Sequence, residues 1–175
     1  SPNTTGLRVF HEPARLRGLI EALVAEKQVP LFVKLPPWPR DNQNRDEILK
    51  LADTAVDAGV DGLVIANTHP IESNLLQVGR GGLSGAPLFE HTELMIADIQ
   101  ARVQGQAEII ACGGVSTAEN VWQLLATGAS AVQLYTSFIY EGPGLPARIN
   151  KRLVKLMDAE GIMSISDISG PPPSI

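Results

Sequence analysis

The sequence predicts an α/β fold built on a parallel sheet, and three observations point there. Four short apolar runs, at 31–35, 62–66, 108–112 and 131–135, are continuous rather than alternating, the pattern of strands covered on both faces. Segments of helical period separate them. Each run ends in polar or glycine-rich residues, always at its carboxyl end. The order is one helix followed by four βα units, which implies parallel strands joined by right-handed crossovers. Two architectures satisfy that order, an open doubly wound sheet or a barrel. A complete (β/α)8 barrel takes about 250 residues, so four strands in 175 residues amount to half of one.

The elements follow in order. Residues 12–28 form an amphipathic helix ahead of the first strand, Leu31 to Leu35. In 45–59, Ile48, Ala52, Ala55, Val56 and Gly59 share one helical face, and the second strand, Gly62 to Ala66, follows. Ser116-Thr117-Ala118-Glu119 has the spacing of a capping box and starts the helix after the third strand, Glu108 to Cys112. The fourth strand, Ala131 to Tyr135, precedes a helix over 145–160 whose face is Leu145, Ile149, Leu153, Leu156 and Met157. The first helix has no strand before it, so that strand is expected to end just before Ser1. With no initiator Met and no polar leader, Ser1-Pro2-Asn3-Thr4-Thr5 looks like the middle of an active-site loop. The three prolines at 171–173, after Gly170, are expected to mark a frayed terminus.

Composition excludes several functions. At 44% hydrophobic and 19% charged residues the chain is globular rather than disordered or fibrous. A net charge of -5, with the fourteen basic residues scattered, argues against a nucleic-acid surface. One cysteine excludes an intrachain disulfide. No apolar stretch approaches the roughly 18–20 residues of a membrane span, so any membrane contact is expected to be peripheral. The three histidines, His11, His69 and His91, and Cys112 have no metal-ligand spacing. No G-x-S-x-G elbow, Walker loop or G-x-G-x-x-G fingerprint occurs.

The strand ends carry the chemistry, as in other α/β folds. Lys34 lies inside an apolar strand, where an ammonium needs a partner or a bound anion; the alternative is a lysine snorkelling at a strand edge. Asn67-Thr68 offers uncharged donors and acceptors suited to a polar heterocycle, or else a turn. His69 could ligate or relay protons, although a single His is more often a solvated turn residue, and Cys112 reads as a small core residue. The Gly81–Gly85 run, Gly113-Gly114 and Tyr135-Thr136 expose backbone N–H groups on consecutive loops, a phosphate-binding arrangement if the last two strands are strands seven and eight of a barrel. Tight turns are the plainer reading of each glycine pair.

Taken in order, Ser1-Pro2-Asn3-Thr4-Thr5-Gly6-Leu7-Arg8, Val33-Lys34-Leu35, Asp61-Gly62 to Asn67-Thr68, Gly81 to Gly85, Gly113-Gly114-Val115 and Gln133-Leu134-Tyr135-Thr136 resemble dihydroorotate dehydrogenase, class 2. The resemblance covers all 175 residues and corresponds to that enzyme's C-terminal half. It implies that residues 1–175 are half of an FMN-binding (β/α)8 TIM barrel, contributing four parallel βα units. The implied activity is oxidation of dihydroorotate to orotate in pyrimidine synthesis, with electrons passed through FMN to a quinone. Ser1 resembles the base that removes the C5 proton, and a serine there, where class 1 enzymes have cysteine, points to the quinone-linked class. Asn3, Asn67 and Thr68 resemble the pyrimidine-binding residues. Lys34 resembles the lysine beside the flavin, and Ala66, Gly85, Gly113, Gly114, Tyr135 and Thr136 match flavin-contacting positions, the last three around its phosphate. The quinone would be reached through an N-terminal region outside these residues. That region would also make a peripheral contact with the cytoplasmic face of the inner membrane, or with the mitochondrial inner membrane in a eukaryote.

Two stretches depart from the family pattern. Lys34 is followed by Leu35-Pro36-Pro37-Trp38-Pro39 where the family usually has Ile-Ala-Pro-Asp, and His69 stands where a second Thr usually follows Asn-Thr. Two other readings compete: another FMN-dependent barrel oxidoreductase, and a non-catalytic half-barrel that associates through its open sheet edges. Ser1-Pro2-Asn3-Thr4 and Asn67-Thr68, which answer to the pyrimidine, argue against the first.

Overall fold

The structure is a computed structural model that describes residues 11–39 and 42–173. Its frame is a four-stranded parallel sheet of β1 (Phe32–Lys34), β2 (Gly62–Ile65), β5 (Glu108–Cys112) and β6 (Ala131–Gln133), in that spatial order. Lys34 pairs with Val64, Ile65 with Ala111 and Cys112 with Gln133, so all four carboxyl ends lie on one side. Sequential strand order decides between the two expected architectures. A doubly wound sheet reverses direction at a switch point, whereas here each strand is added beside the last, as around a barrel. The four expected strands are all present, with β6 ending two residues early.

Helices α1 (Pro13–Glu26), α2 (Arg45–Asp57), α3 (Phe89–Val103), α4 (Ala118–Thr127) and α6 (Leu145–Glu160) pack side by side, each against the next. Between β6 and α6 lies the short α5 (Thr136–Glu141). The core fills the space between this layer and the sheet. Leu63, Ile65, Ile109 and Ala111 meet Leu49, Ala52 and Ala55 of α2, Met95, Ile96 and Ile99 of α3, Leu124 of α4 and Leu156 of α6 in one buried cluster. Arg45 donates two hydrogen bonds to Asp98 at 2.9 and 2.6 Å, Arg102 two to Asp53 at 3.0 and 2.8 Å, and Arg152 one to Glu119 at 2.9 Å, linking neighbouring helices. These pairs are partly solvated, so each contributes about 0.2–1 kcal/mol. They set helix register more than stability.

The structure corrects several expectations. The strands are not all covered on both faces: β2 is buried throughout, but Phe32, Lys34, Glu108, Ala131 and Gln133 are exposed on the side away from the helices. That side is the inner face of the curved sheet, which the opposite strands of a whole barrel would cover. The capping box lies one residue later than expected. Thr117 Oγ1 accepts from the Asn120 N–H at 3.1 Å, and Asn120 Oδ1 accepts from the Thr117 N–H at 3.2 Å. Glu119 is turned instead toward Arg152. Its own backbone N–H and that guanidinium hold its carboxyl below the usual range.

The C-terminal segment is packed as far as Gly170. Ile168 is buried, and Trp122 Nε1 donates to the Gly170 carbonyl at 3.1 Å. A hairpin was not anticipated. His69–Glu72 (β3) and Arg80–Leu83 (β4) pair antiparallel, His69 opposite Leu83 and Pro70 opposite Gly82. A two-stranded ribbon tolerates Pro70, which a central strand would not.

Candidate functional site

Parallel register carries Lys34-Leu35, Ala66-Asn67-Thr68, Cys112-Gly113-Gly114 and Leu134-Tyr135-Thr136 to the same end of the sheet. The backbone beyond the strands stays ordered by continued pairing. Leu35 N–H donates to Val64 O at 3.0 Å, Ala66 N–H to Cys112 O at 2.9 Å and Asn67 N–H to Leu35 O at 3.1 Å. The floor of the site is thus an extension of the sheet and not a set of free loops.

Lys34 leaves β1 on the inner face and crosses above β2, so that its Nζ stands 3.4 Å from Cys112 Sγ. The ammonium is solvent-accessible and borders the strand ends; the expected burial inside the strand does not occur, because the inner face is open. Cys112 is likewise no core residue. Alternation along β5 turns Ile109 and Ala111 into the core and Cys112 toward the inner face, half-buried.

Asn67 and Thr68 are both exposed at the end of β2. Asn67 Oδ1 accepts from the Thr68 N–H at 2.8 Å, which fixes the amide against the backbone of the next residue. The Thr68 side chain lies over Gly82 of β4, where an added Cβ would collide with its hydroxyl. The Asn-Thr strand end and the first half of the glycine run, expected as separate loops, are therefore one unit joined by the hairpin. Next to it, His69 packs edge to face on buried His91, ring centroids 4.6 Å apart. His69 is a strand residue with an aromatic partner, not a solvated turn residue.

Three loops converge on the other side. The Thr136 hydroxyl donates to the Ser84 hydroxyl at 2.9 Å, and Ser137 Oγ donates to the Val115 carbonyl at 2.5 Å. Gly85 sits against Thr136, whose Cγ2 would lie 3.1 Å from a Cβ at residue 85. Gly114 has φ +76° and touches the start of α3: an added Cβ would stand 2.5 Å from Phe89 Cα and run into the Phe89 nitrogen. Tyr135, 76% exposed, projects from the mouth of this cluster. The result is a cradle of hydroxyls and small residues, with backbone approaching closely and no carboxylate on it among the hydrogen bonds described. Such a surface accepts an anion by N–H and O–H donation.

The structure brings Lys34, Ala66, Asn67, Thr68, Gly85, Gly113, Gly114, Tyr135 and Thr136 to one end of the sheet, and Ser1 and Asn3 lie outside the described residues. Sequence reasoning missed Ser84 and Ser137, which bind the three loops together, and the orientation of Cys112. Ser84 sits inside the glycine run and was legible as a donor; Ser137 had no signal beyond adjacency to Thr136.

A family model described as dihydroorotate dehydrogenase matches residues 1–157. The chain is similar to the dihydroorotate dehydrogenase (quinone) of Chelativorans sp. (strain BNC1), 35% identical over 96% of this chain and 48% of that protein. It is similar to the mitochondrial dihydroorotate dehydrogenase (quinone) of Arabidopsis thaliana at 35% identity over 97% of this chain and 39% of the other. Among solved structures, the ligand-free enzyme of Eimeria tenella superposes with a TM-score of 0.83 at 33% identity, covering 97% of this chain and 53% of that one. The same enzyme with ferulenol gives 0.82. The chain spans about half the length of the curated relatives it matches. With a family model covering most of its residues, the chain belongs to the dihydroorotate dehydrogenase family.

Proposed function

We propose that residues 1–175 are one half of an FMN-binding (β/α)8 barrel domain that oxidises dihydroorotate to orotate in pyrimidine synthesis and passes the electrons to a quinone. The observation that carries this reading is the convergence of the Ser84–Gly85, Gly113–Val115 and Tyr135–Ser137 loops beside Lys34 and Asn67-Thr68, in a chain of this family. Membership also supports a membrane-associated enzyme, at the cytoplasmic face of the inner membrane or the mitochondrial inner membrane, docked through residues outside these 175.

The residues fit FMN. A phosphate monoester needs convergent donors without carboxylates, and the cradle is built of Ser84, Thr136 and the backbone at Gly85, Gly113 and Gly114. Lys34 places a positive charge at the strand ends, where it would stand beside the flavin ring and favour negative charge on it. Tyr135, exposed at the mouth, would flank the ring, and Ala66, whose side chain is buried in the core, would contribute through its backbone. When bound, FMN supplies the two-electron acceptor.

The chain's own residues hold the pyrimidine and move one proton. Asn3, Asn67 and Thr68 present amides and a hydroxyl to the ring's carbonyl and N–H edges. Ser1 takes the C5 proton. A serine hydroxyl is a poor base in water, so the proton passes onward through a hydrogen-bonded relay.

The test is rapid-mixing reduction of the bound flavin by saturating dihydroorotate in the full-length protein. Ser1→Ala is expected to slow reduction by about 10² to 10⁴ while orotate affinity changes little, since Asn3, Asn67 and Thr68 remain. An unchanged reduction rate removes Ser1 as the base. No flavin bleaching by dihydroorotate in the unsubstituted protein removes the proposed activity.

A further inference from the structure

The two stretches in which the sequence departs from the family pattern are some thirty residues apart, yet they meet at one side chain, His91. Its ring, 5% exposed near the start of α3, places Nε2 2.7 Å from the Trp38 carbonyl oxygen. A carbonyl can only accept, so Nε2 carries the hydrogen. Trp38, 1% exposed, packs edge to face on the same imidazole with centroids 6.0 Å apart at 78°. Arg45 stands 6.0 Å from the Trp38 ring and is itself fixed by the two-point contact with Asp98, which raises its pKa above the ordinary value. His91 is thus tied by a hydrogen bond and a ring contact to Trp38 of the 36–39 loop, which Arg45 of α2 flanks. His69 packs against this anchored ring at 4.6 Å and 69°.

We propose that His69 is a positioning residue: by stacking on His91 it sets the place of Asn67 and Thr68 against the substrate. This inference rests on the pyrimidine-binding role proposed above for those two residues. His69 follows Thr68 directly, and neighbouring Cα atoms are held about 3.8 Å apart, so fixing one restricts the other. The hairpin restrains the same backbone from a second direction, through Pro70 opposite Gly82 and the Thr68 side chain over Gly82. The Asn67 N–H bond to the Leu35 carbonyl and the hairpin hold the segment at its two ends, and the ring contact restrains it between them. Asn67 and Thr68 bind the ring in ground state and transition state alike. Loosening them thus raises KM while leaving kcat in place.

The experiment compares His69→Thr, His69→Phe, His91→Gln and the double variant H69T/H91Q in the full-length holoenzyme, measuring KM, kcat and thermal midpoint. His69→Thr is expected to raise KM for dihydroorotate about 3- to 10-fold, the scale of one aromatic pair, with kcat within about twofold and the midpoint retained. His69→Phe keeps an aromatic edge against His91 and returns KM to within about twofold of the starting value. His91→Gln keeps an N–H for the Trp38 carbonyl but removes the ring, so it raises KM as His69→Thr does, and the double variant is no worse than either alone. Unchanged KM in His69→Thr, equal loss in His69→Phe and His69→Thr, or additive losses in the double variant each overturn the inference. If the unsubstituted enzyme oxidises dihydroorotate and these outcomes appear, only the positioning role falls. If it does not, the functional reading itself fails.

Discussion

Gly114→Ala isolates what the proposed phosphate cradle demands of the backbone. At φ +76° residue 114 is left-handed, a region that costs an ordinary residue about 1–2 kcal/mol. The added methyl would also stand 2.5 Å from Phe89 Cα and 2.7 Å from Phe89 Cβ, where ordinary contact begins near 3.4 Å. Phe89 is the first residue of α3 and its backbone cannot rotate aside as a long side chain would. The turn must move by most of an ångström, and crowding of this kind costs about 1–3 kcal/mol. Together the two effects amount to about 2–5 kcal/mol. Moving the turn carries Gly113 and Gly114 away from Ser84 and Thr136, so under the proposed FMN reading the loss reaches flavin binding as well as folding. Affinity should drop by about tenfold for each 1.4 kcal/mol.

Gly161→Ala is the control. Gly161 caps α6 at φ +67° with open space around the Cβ position, so only the conformational cost of about 1–2 kcal/mol applies. Denaturant unfolding and fluorescence titration with FMN, on full-length protein, read the two variants side by side. Gly114→Ala should be the more destabilised and should lose FMN affinity at least tenfold, while Gly161→Ala binds FMN normally. Equal unfolding losses would mean that the contact with Phe89 is relieved at no cost. Unchanged FMN affinity in Gly114→Ala would remove residue 114 from the cradle.

Two further outcomes rest on the ion pair at Asp61 and on the open sheet edges. The Asp61 carboxylate accepts from Lys27 Nζ at 2.5 Å and from the Leu31 N–H at 2.6 Å, and these bonds hold its pKa below the usual value. Its contribution to stability is therefore complete above the unfolded value of about 3.9 and is lost as pH falls through the lower folded value. Denaturant midpoints of the wild type and Asp61→Asn should differ at pH 7 and converge as pH falls below 4; a constant gap would exclude the carboxylate charge as the cause. The isolated 175-residue chain should be inactive and should self-associate, because β1 and β6 are sheet edges and the inner face exposes Phe32 and the β5 and β6 side chains. Dihydroorotate oxidation by a verified monomer of this length would contradict that.

Strands and helices were legible wherever one physical signal dominated. β2 and β5 read as continuous apolar runs because their helix-facing residues, Leu63, Ile65, Ile109 and Ala111, are all apolar and the inner-facing ones nearly so. The same uniformity hid which residue faced which way, and Cys112 was assigned to the core for that reason. Ser116-Thr117-Ala118-Glu119 and Thr117–Asn120 both have capping spacing; the choice between them was made by Arg152, thirty-three residues after Glu119, which no local pattern contains. The β3–β4 hairpin was illegible in the same way. Gly81, Gly82 and Pro70 are poor strand formers, and what makes them a strand is their antiparallel pairing, with the Thr68 side chain over Gly82.

The candidate site was legible in its parts and not in its connections. Each strand end announced itself by polar or glycine residues after an apolar run, and parallel topology then dictates that such ends gather on one side. What pattern cannot supply is the set of contacts between loops that turns neighbours into a rigid surface. Thr136 to Ser84 spans fifty-two residues, and Lys34 to Cys112 spans seventy-eight. The two departures from the family pattern show the consequence most directly. Read along the chain, Trp38 and His69 are unrelated oddities in separate loops. In space each touches His91, which carried no sequence signal of its own, and that single buried imidazole converts both departures into one support beneath the Asn67-Thr68 strand end.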